Sequence, residues 1–151
     1  VSDINKWDIF FLRMAKQIST ASLDPSTKTG SIIVDKNNRV VSMGYNGFAK
    51  GVKDLPERYN NRELKYKLIV HTEVNSIIFA KQDLTNCTLY TWPFCSCSRC
   101  AGIVIQAGIK RCVAPPLPTH LKERWAEDTA LAELQFKEAG VQLDFIELSG
   151  S

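Results

Sequence analysis

A chain of 151 residues is long enough for one compact domain with a well-formed core and short for two ordinary ones. Its 44% hydrophobic and 23% charged residues are those of an ordinary globular domain, and no apolar run reaches the length of a membrane span or reads as a signal peptide. A formal net charge of +3 with no Lys/Arg block is too small to diagnose nucleic-acid binding and fits a protein that handles small anions at one site.

In chain order, Val1 to Lys6 leads into a helix whose Trp7, Phe10, Phe11, Met14, Ala15 and Ile18 repeat at helical spacing and mark one buried face. Asp24-Pro25-Ser26 breaks it. Ser31 to Val34 and Arg39 to Met43 read as two strands joined by the turn Asp35-Lys36-Asn37-Asn38. A glycine-punctuated segment from Gly44 to Gly51 follows, then a polar stretch from Lys53 to Lys67, a surface excursion with some helix.

A second helix opens at His71 and runs to about Lys81. Thr88 to Trp92 is a third strand, and a third helix runs from Cys97 to Gly108. Arg111 to Ala114 is a short strand ended by Pro115-Pro116. Leu121, Trp125, Ala132 and Phe136 line a long helix stopping near Gly140, and Val141 to Leu148 forms the last strand. Strands alternating with helices after a hairpin predict a single α/β domain over residues 1–151, a three-layer α-β-α sandwich around a mixed five-stranded sheet.

Five cysteines without a secretion signal indicate a reducing, cytoplasmic setting rather than a disulfide framework, and Cys87 and Cys112 fall in apolar stretches as small buried hydrophobes. The chemistry is concentrated in His71-Thr72-Glu73 and, further on, Cys97-Ser98-Arg99-Cys100. His71, Cys97 and Cys100 are donors that zinc prefers, and three protein ligands instead of four leave a position for water. Glu73 stands beside them without being a ligand, placed to move protons of a water whose pKa zinc lowers to about 7. Residues two apart on a formed helix diverge, so His71 and Glu73 converge only in a first turn. Cys97 and Cys100, three apart, share a face. Two helix N-termini meeting at one ion follow from this spacing. The alternatives are a closed four-ligand structural zinc that recruits Cys95, and a redox Cys-x-x-Cys. The first leaves Glu73 unexplained and the second has no use for His71.

These residues resemble the deoxycytidylate (dCMP) deaminases of the cytidine deaminase-like superfamily, a class with the H-x-E…C-x-x-C signature. The resemblance runs from about Trp7 to Ala114 and includes Asp24-Pro25, Gly44-Tyr45-Asn46-Gly47, Asn75, and Ile105 to Lys110. It implies zinc-dependent hydrolytic deamination of dCMP to dUMP, with Glu73 catalytic and one zinc on His71, Cys97 and Cys100. It further implies a homo-oligomer, a hexamer, activated by dCTP and inhibited by dTTP with Mg²⁺ on the triphosphate. No membrane or stable nucleic-acid partner is implied, and the location is cytoplasmic, or the host cytoplasm for a phage-encoded member.

Asn46, the Thr72 amide and Trp92 are candidates for substrate contact; a buried strand end serves Trp92 equally well. Lys28, Gly44, Tyr45, Asn46, Gly47 and Lys50 are candidates for the effector pocket, glycines permitting close backbone approach and lysines meeting phosphates. Two positions depart from the family pattern. Ser96 stands where proline usually precedes the first metal cysteine, and Ala49 stands where proline often follows the Gly-Tyr-Asn-Gly element. The rival reading is a deaminase of cytosine or adenine within single-stranded DNA or RNA, which needs a basic groove and aromatic platforms.

Overall fold

Gly30–Val34 is a run of five buried residues, and a strand with no exposed face requires cover on both sides. The computed structural model describes residues 6–148, so the lead-in over residues 1–5 lies outside the described residues. Its elements are α1 (Lys6–Ser19), β1 (Gly30–Val34), β2 (Val40–Tyr45), β3 (Gly47–Phe48), α2 (Pro56–Asn60), α3 (Arg62–Leu68) and β4 (Ile69–Val70). After these come α4 (Thr72–Ala80), β5 (Thr88–Trp92), α5 (Ser98–Gln106), β6 (Arg111–Ala114), α6 (Thr119–Ala139) and β7 (Gln142–Phe145).

The main sheet has the order β2-β1-β5-β6-β7, antiparallel from β2 to β5 and parallel from β5 to β7. Successive side chains leave a strand on opposite faces. Ile32, Val34, Tyr90 and Val113 therefore meet Phe11 and Leu12 of α1, while Ile33, Leu89 and Cys112 pack with Ala101, Val104, Ala132 and Phe136 of α5 and α6. These two cores make the three-layer α-β-α sandwich with a mixed five-stranded sheet. A two-stranded ribbon, β3 with β4, lies apart from it. Its strands are two residues each, too short to leave a periodic signal in the sequence.

Several boundaries and faces differ from the sequence reading. The first helix ends at Ser19, ahead of Asp24-Pro25, and its buried residues are Asp8, Phe11, Leu12, Ala15 and Ser19. Trp7 and Phe10 are exposed instead, Trp7 stacking on Phe11 and Phe10 meeting both rings edge-on. The reason is close approach: a Cβ on Gly30 would lie 2.2 Å from the Ala15 carbonyl oxygen and 2.6 Å from the Ser19 nitrogen. That contact pins α1 by its 15–19 turn and fixes which stripe faces the sheet. The last strand is Gln142–Phe145, shorter than the run to Leu148, although Ile146 and Leu148 remain buried against α1.

Charge is buried at one point of the α1 layer. Asp8, 1% exposed, accepts two bonds from Arg111 at 2.8 and 3.0 Å and one from the Tyr90 hydroxyl at 2.7 Å, and Arg111 also reaches Asp144 at 2.8 Å. The paired carboxylates hold the Arg111 guanidinium even further above its usual range. The network ties α1, β5, β6 and β7 together where an unpaired charge would be strongly destabilising.

Two glycines test these contacts with opposite signs. Gly30→Ala is expected to destabilise by about 1–3 kcal/mol or more because backbone, not a flexible tip, blocks the added carbon. Gly102→Ala, inside α5 with only the Gln135 side chain at 3.6 Å, is expected to stabilise by about 0.5–1 kcal/mol. Urea unfolding of both variants checks the pair; a neutral Gly30→Ala would refute the pinned contact.

Candidate metal centre and active site

The site is built where two helices begin. β1 and β5 run antiparallel, so Gly30 pairs with Trp92 and both lie at the sheet edge from which the chain enters α5. α4 starts at the same edge. Its first residue, Thr72, is locked down: the hydroxyl donates to the Gly44 carbonyl at 2.8 Å and lies 2.8 Å from the Ser31 hydroxyl. Ser31 also donates to the Thr72 carbonyl at 3.0 Å and contacts the buried Ser76 hydroxyl. Gly44 permits this seating, since a Cβ there would meet the Ser76 nitrogen at 2.9 Å.

His71 precedes α4 in extended backbone, φ −69° and ψ 154°, and Cys97 precedes α5 likewise, φ −69° and ψ 169°. Both turn their side chains back past the helix start. His71 Nδ1 lies 3.2 Å from Cys100 Sγ and 3.6 Å from Cys97 Sγ, and the three donor atoms lie within 4.8 Å of one another. Tetrahedral zinc, with bonds of about 2.0–2.3 Å, separates such donors by roughly 3.3–3.8 Å, so the set fits this ion. Two thiolates balance its charge, and the two helix N-termini favour them.

The electrostatics of the donors follow the same geometry. Cys97 is drawn down to about 4, first by a hydrogen bond from Cys100, against the opposing effect of burial, and then by His71. The bond to Cys97 raises His71 above its ordinary value. Burial lifts the Glu73 carboxyl, with opposing help to the carboxylate from a backbone bond and from the Ser96 side chain. Cys95 is turned toward the α5–α6 core and is not in the donor cluster; burial pushes its thiol up to about 12.

A cavity of about 580 Å³ opens over the donors. His71, Thr72, Glu73, Cys97, Asn46 and Trp92 all line it. Trp92 also takes the Lys16 ammonium over its ring at 5.1 Å. Asn46 organises the wall: its carbonyl oxygen accepts from the Thr29 amide at 2.9 Å, and its NH₂ donates to the Thr27 carbonyl at 2.9 Å and to Asp24 at 3.4 Å.

The candidate effector residues differ in exposure, and Lys28 meets Asn46 through a shared partner, Ser22. Gly44 sits buried under α4. Tyr45, Lys28 and Lys50 are exposed, Lys28 donating to the Ser22 carbonyl, and Gly47 begins β3 with nothing within 4 Å of a Cβ.

Sequence reasoning missed one whole wall. The polar stretch after Lys53 is not merely a surface excursion: Tyr59 is buried with its ring stacked 4.1 Å from Phe48, and Lys65 is buried in an ion pair with Asp24 at 3.1 Å. Tyr59, Arg62, Lys65 and Tyr66 line the cavity. The facing wall is the first half of α6, with Leu121, Arg124, Trp125 and Asp128. The signal available was the interleaving of Tyr with Arg and Lys just ahead of His71.

These features define a zinc-deaminase type of α/β domain. Residues 5–115 match the model of the cytidine and deoxycytidylate deaminase zinc-binding region, and the chain belongs to that family. An uncharacterized deaminase in the luxG 3′ region of Aliivibrio fischeri is 38% identical over 145 residues, covering 96% of this chain and 97% of that protein. Deoxycytidylate deaminase of Mus musculus is 36% identical over 145 residues, covering 92% of this chain and 79% of that one. The crystal structure of dCMP deaminase from cyanophage S-TIM5 in complex with dCMP and dUMP shares the fold, with a TM-score of 0.74 at 18% identity, covering 96% of this chain and all 100% of that one.

The donor set predicts one zinc per chain, absent in Cys100→Ala. Metal capture requires neutral His71 and ionised thiols, so protons compete from the raised His71 value downward and zinc is expected to leave as pH falls through the acid range. Elemental analysis after dialysis at stepped pH checks both; full zinc retention in Cys100→Ala would refute the assignment.

Proposed function

We propose that this chain catalyses the hydrolytic deamination of dCMP to dUMP, releasing ammonia. The observation that carries the reading is the placement of Glu73: buried, second residue of α4, lining the same cavity as the donors His71 and Cys97 and standing outside the His71, Cys97 and Cys100 set. The identity with deoxycytidylate deaminase of Mus musculus supports the substrate.

Held by His71, Cys97 and Cys100, zinc supplies the Lewis acidity that makes water a nucleophile near neutral pH. The chain's own groups do the rest. Glu73 takes a proton from the attacking water as oxygen adds to C4 and delivers it to ring N3. The same carboxyl then passes the water's second proton to the departing amine. Its raised affinity for protons, from burial, suits a group that must both accept and donate. Thr72, the first residue of α4, offers a backbone amide of the kind that no intrahelical carbonyl satisfies, directed to the pyrimidine carbonyl. Trp92 and Asn46 contribute wall rather than chemistry.

The regulatory part of the proposal is dCTP activation and dTTP inhibition, with Mg²⁺ on the triphosphate and a hexameric assembly. It rests on the resemblance in Gly44-Tyr45-Asn46-Gly47, with Lys28 and Lys50 as exposed cations nearby in sequence. Cytoplasmic placement follows from the same nucleotide chemistry; among the described residues, no helix is long and apolar enough to cross a membrane.

Glu73→Ala is expected to retain zinc and lose about 10²–10⁴ of turnover on dCMP, the range for a positioned proton carrier. Steady-state ammonia release and metal content, measured together, check this. Activity confined to a cytosine- or adenine-containing oligonucleotide, with none on free dCMP, would transfer the reading to nucleic-acid editing.

A further inference from the structure

The cavity has a chemically asymmetric rim. Three carboxylates line it, and each is committed: Glu73 beside the donors, Asp24 to Lys65, and Asp128 to Ser98. Lys65 is likewise spoken for. Two guanidinium groups remain, Arg62 on α3 and Arg124 on α6, both exposed and both lining the cavity. Neither makes an ion pair among the described residues, whose pairs are confined to Lys65, Lys67 and Arg111.

Arg124 is held ready. Its guanidinium lies over the Trp125 ring, 5.2 Å from the centroid. The carboxylate four residues on, which on a helix surface is well placed to claim it, is turned away. Asp128 accepts instead from the Ser98 amide at 3.0 Å and the Ser98 hydroxyl at 2.6 Å, while Gln135 donates to the Ser98 carbonyl at 2.8 Å. Three bonds thus fasten α6 to the residue that follows Cys97, fixing the Arg124 wall relative to the metal donors. Arg62 spends Nε and one Nη on the Tyr66 hydroxyl, at 3.2 and 3.0 Å, and its other Nη makes no hydrogen bond among the described residues.

We propose that Arg124 and Arg62, facing one cavity from α6 and α3, bind the terminal 5′-phosphate of the nucleotide whose base lies at Glu73, and so make this site select nucleotides over nucleosides. A phosphate monoester is close to a dianion at neutral pH, and planar guanidinium forks recognise it through charge-assisted, bidentate bonds. The inference rests on the nucleotide reading above for the base end of the ligand. The phosphate end stands on the surplus of unpaired positive charge at the rim.

The test uses zinc-loaded protein and two readouts. The first is the ratio of kcat/KM for dCMP to that for 2′-deoxycytidine, in wild type, Arg124→Gln, Arg62→Gln and the double variant. The second is the calorimetric affinity for dUMP against 2′-deoxyuridine, which needs no turnover. Each single variant is expected to lower the kcat/KM ratio by about 10- to 100-fold, the scale of a lost charge-assisted contact. Arg124→Lys, keeping a point charge without the fork, is expected to fall between. Both positions are exposed on helices and glutamine is a good helix former, so circular dichroism and zinc content should match wild type. Should Arg124→Gln fail that check, the Arg62→Gln and Arg124→Lys ratios decide.

Ratios within twofold of wild type in the double variant, with dCMP still turned over, would overturn the phosphate assignment and leave dCMP deamination standing. The converse result, no turnover of either cytosine compound but an arginine-dependent preference for dUMP in binding, would remove dCMP deamination and leave the phosphate site.

Discussion

Everything at the site depends on two helix starts being held at one point of the sheet edge. A helix start is a set of unsatisfied backbone amides with a positive dipole end, and it repels the cation that three donors would gather. The arrangement is stable chemistry only because the donors are anionic or neutral bases: two thiolates and one imidazole. The Thr72–Ser31–Gly44 bonds determine where α4 begins, and with it the positions of His71 and Glu73. The Asp128 and Gln135 bonds to Ser98 do the same for α5 and its cysteines.

Burial acts on the site in two ways. Around Glu73 it raises the affinity for a proton, the property that the proposed acid–base role of this carboxyl requires. Around Cys100 it excludes water from a soft donor suited to zinc, while Cys97 stays partly open to the cavity. Ser96 joins these two effects, since its side chain hydrogen-bonds the Glu73 carboxylate and it immediately precedes Cys97. The position that departs from the proline of the resembled pattern thus supplies a donor to the Glu73 carboxylate.

α6 divides its labour along its length. Ala132 and Phe136 are fully buried in the core shared with α5 and the sheet, and Gly140, at φ +77°, closes the helix with the Val141 amide returning to the Phe136 carbonyl at 2.8 Å. The first half leaves the core and becomes cavity wall, so Leu121 and Trp125 share the helical period of the core residues without sharing their environment. The helix is thus anchored in the core at its C-terminal half, bonded to Ser98 in the middle, and lines the cavity with its first half.

The sequence alone determined the donor set and the layer order. Donor types at fixed spacing, a carboxylate two residues after the histidine, and strands alternating with helices are properties of local pattern, and each survives in the structure. Local pattern also carried the five strands of the main sheet, because their apolar period matches the two cores they separate. Only the tertiary structure decided which stripe of α1 is buried, since that depends on how closely Gly30 lets a helix approach. It likewise decided that Gly44 packs under α4, that Lys65 is buried against Asp24, and that α3 and α6 face each other across one cavity. Those facts join residues tens of positions apart through close packing and paired charge, and a one-dimensional pattern holds no record of which distant partner will arrive.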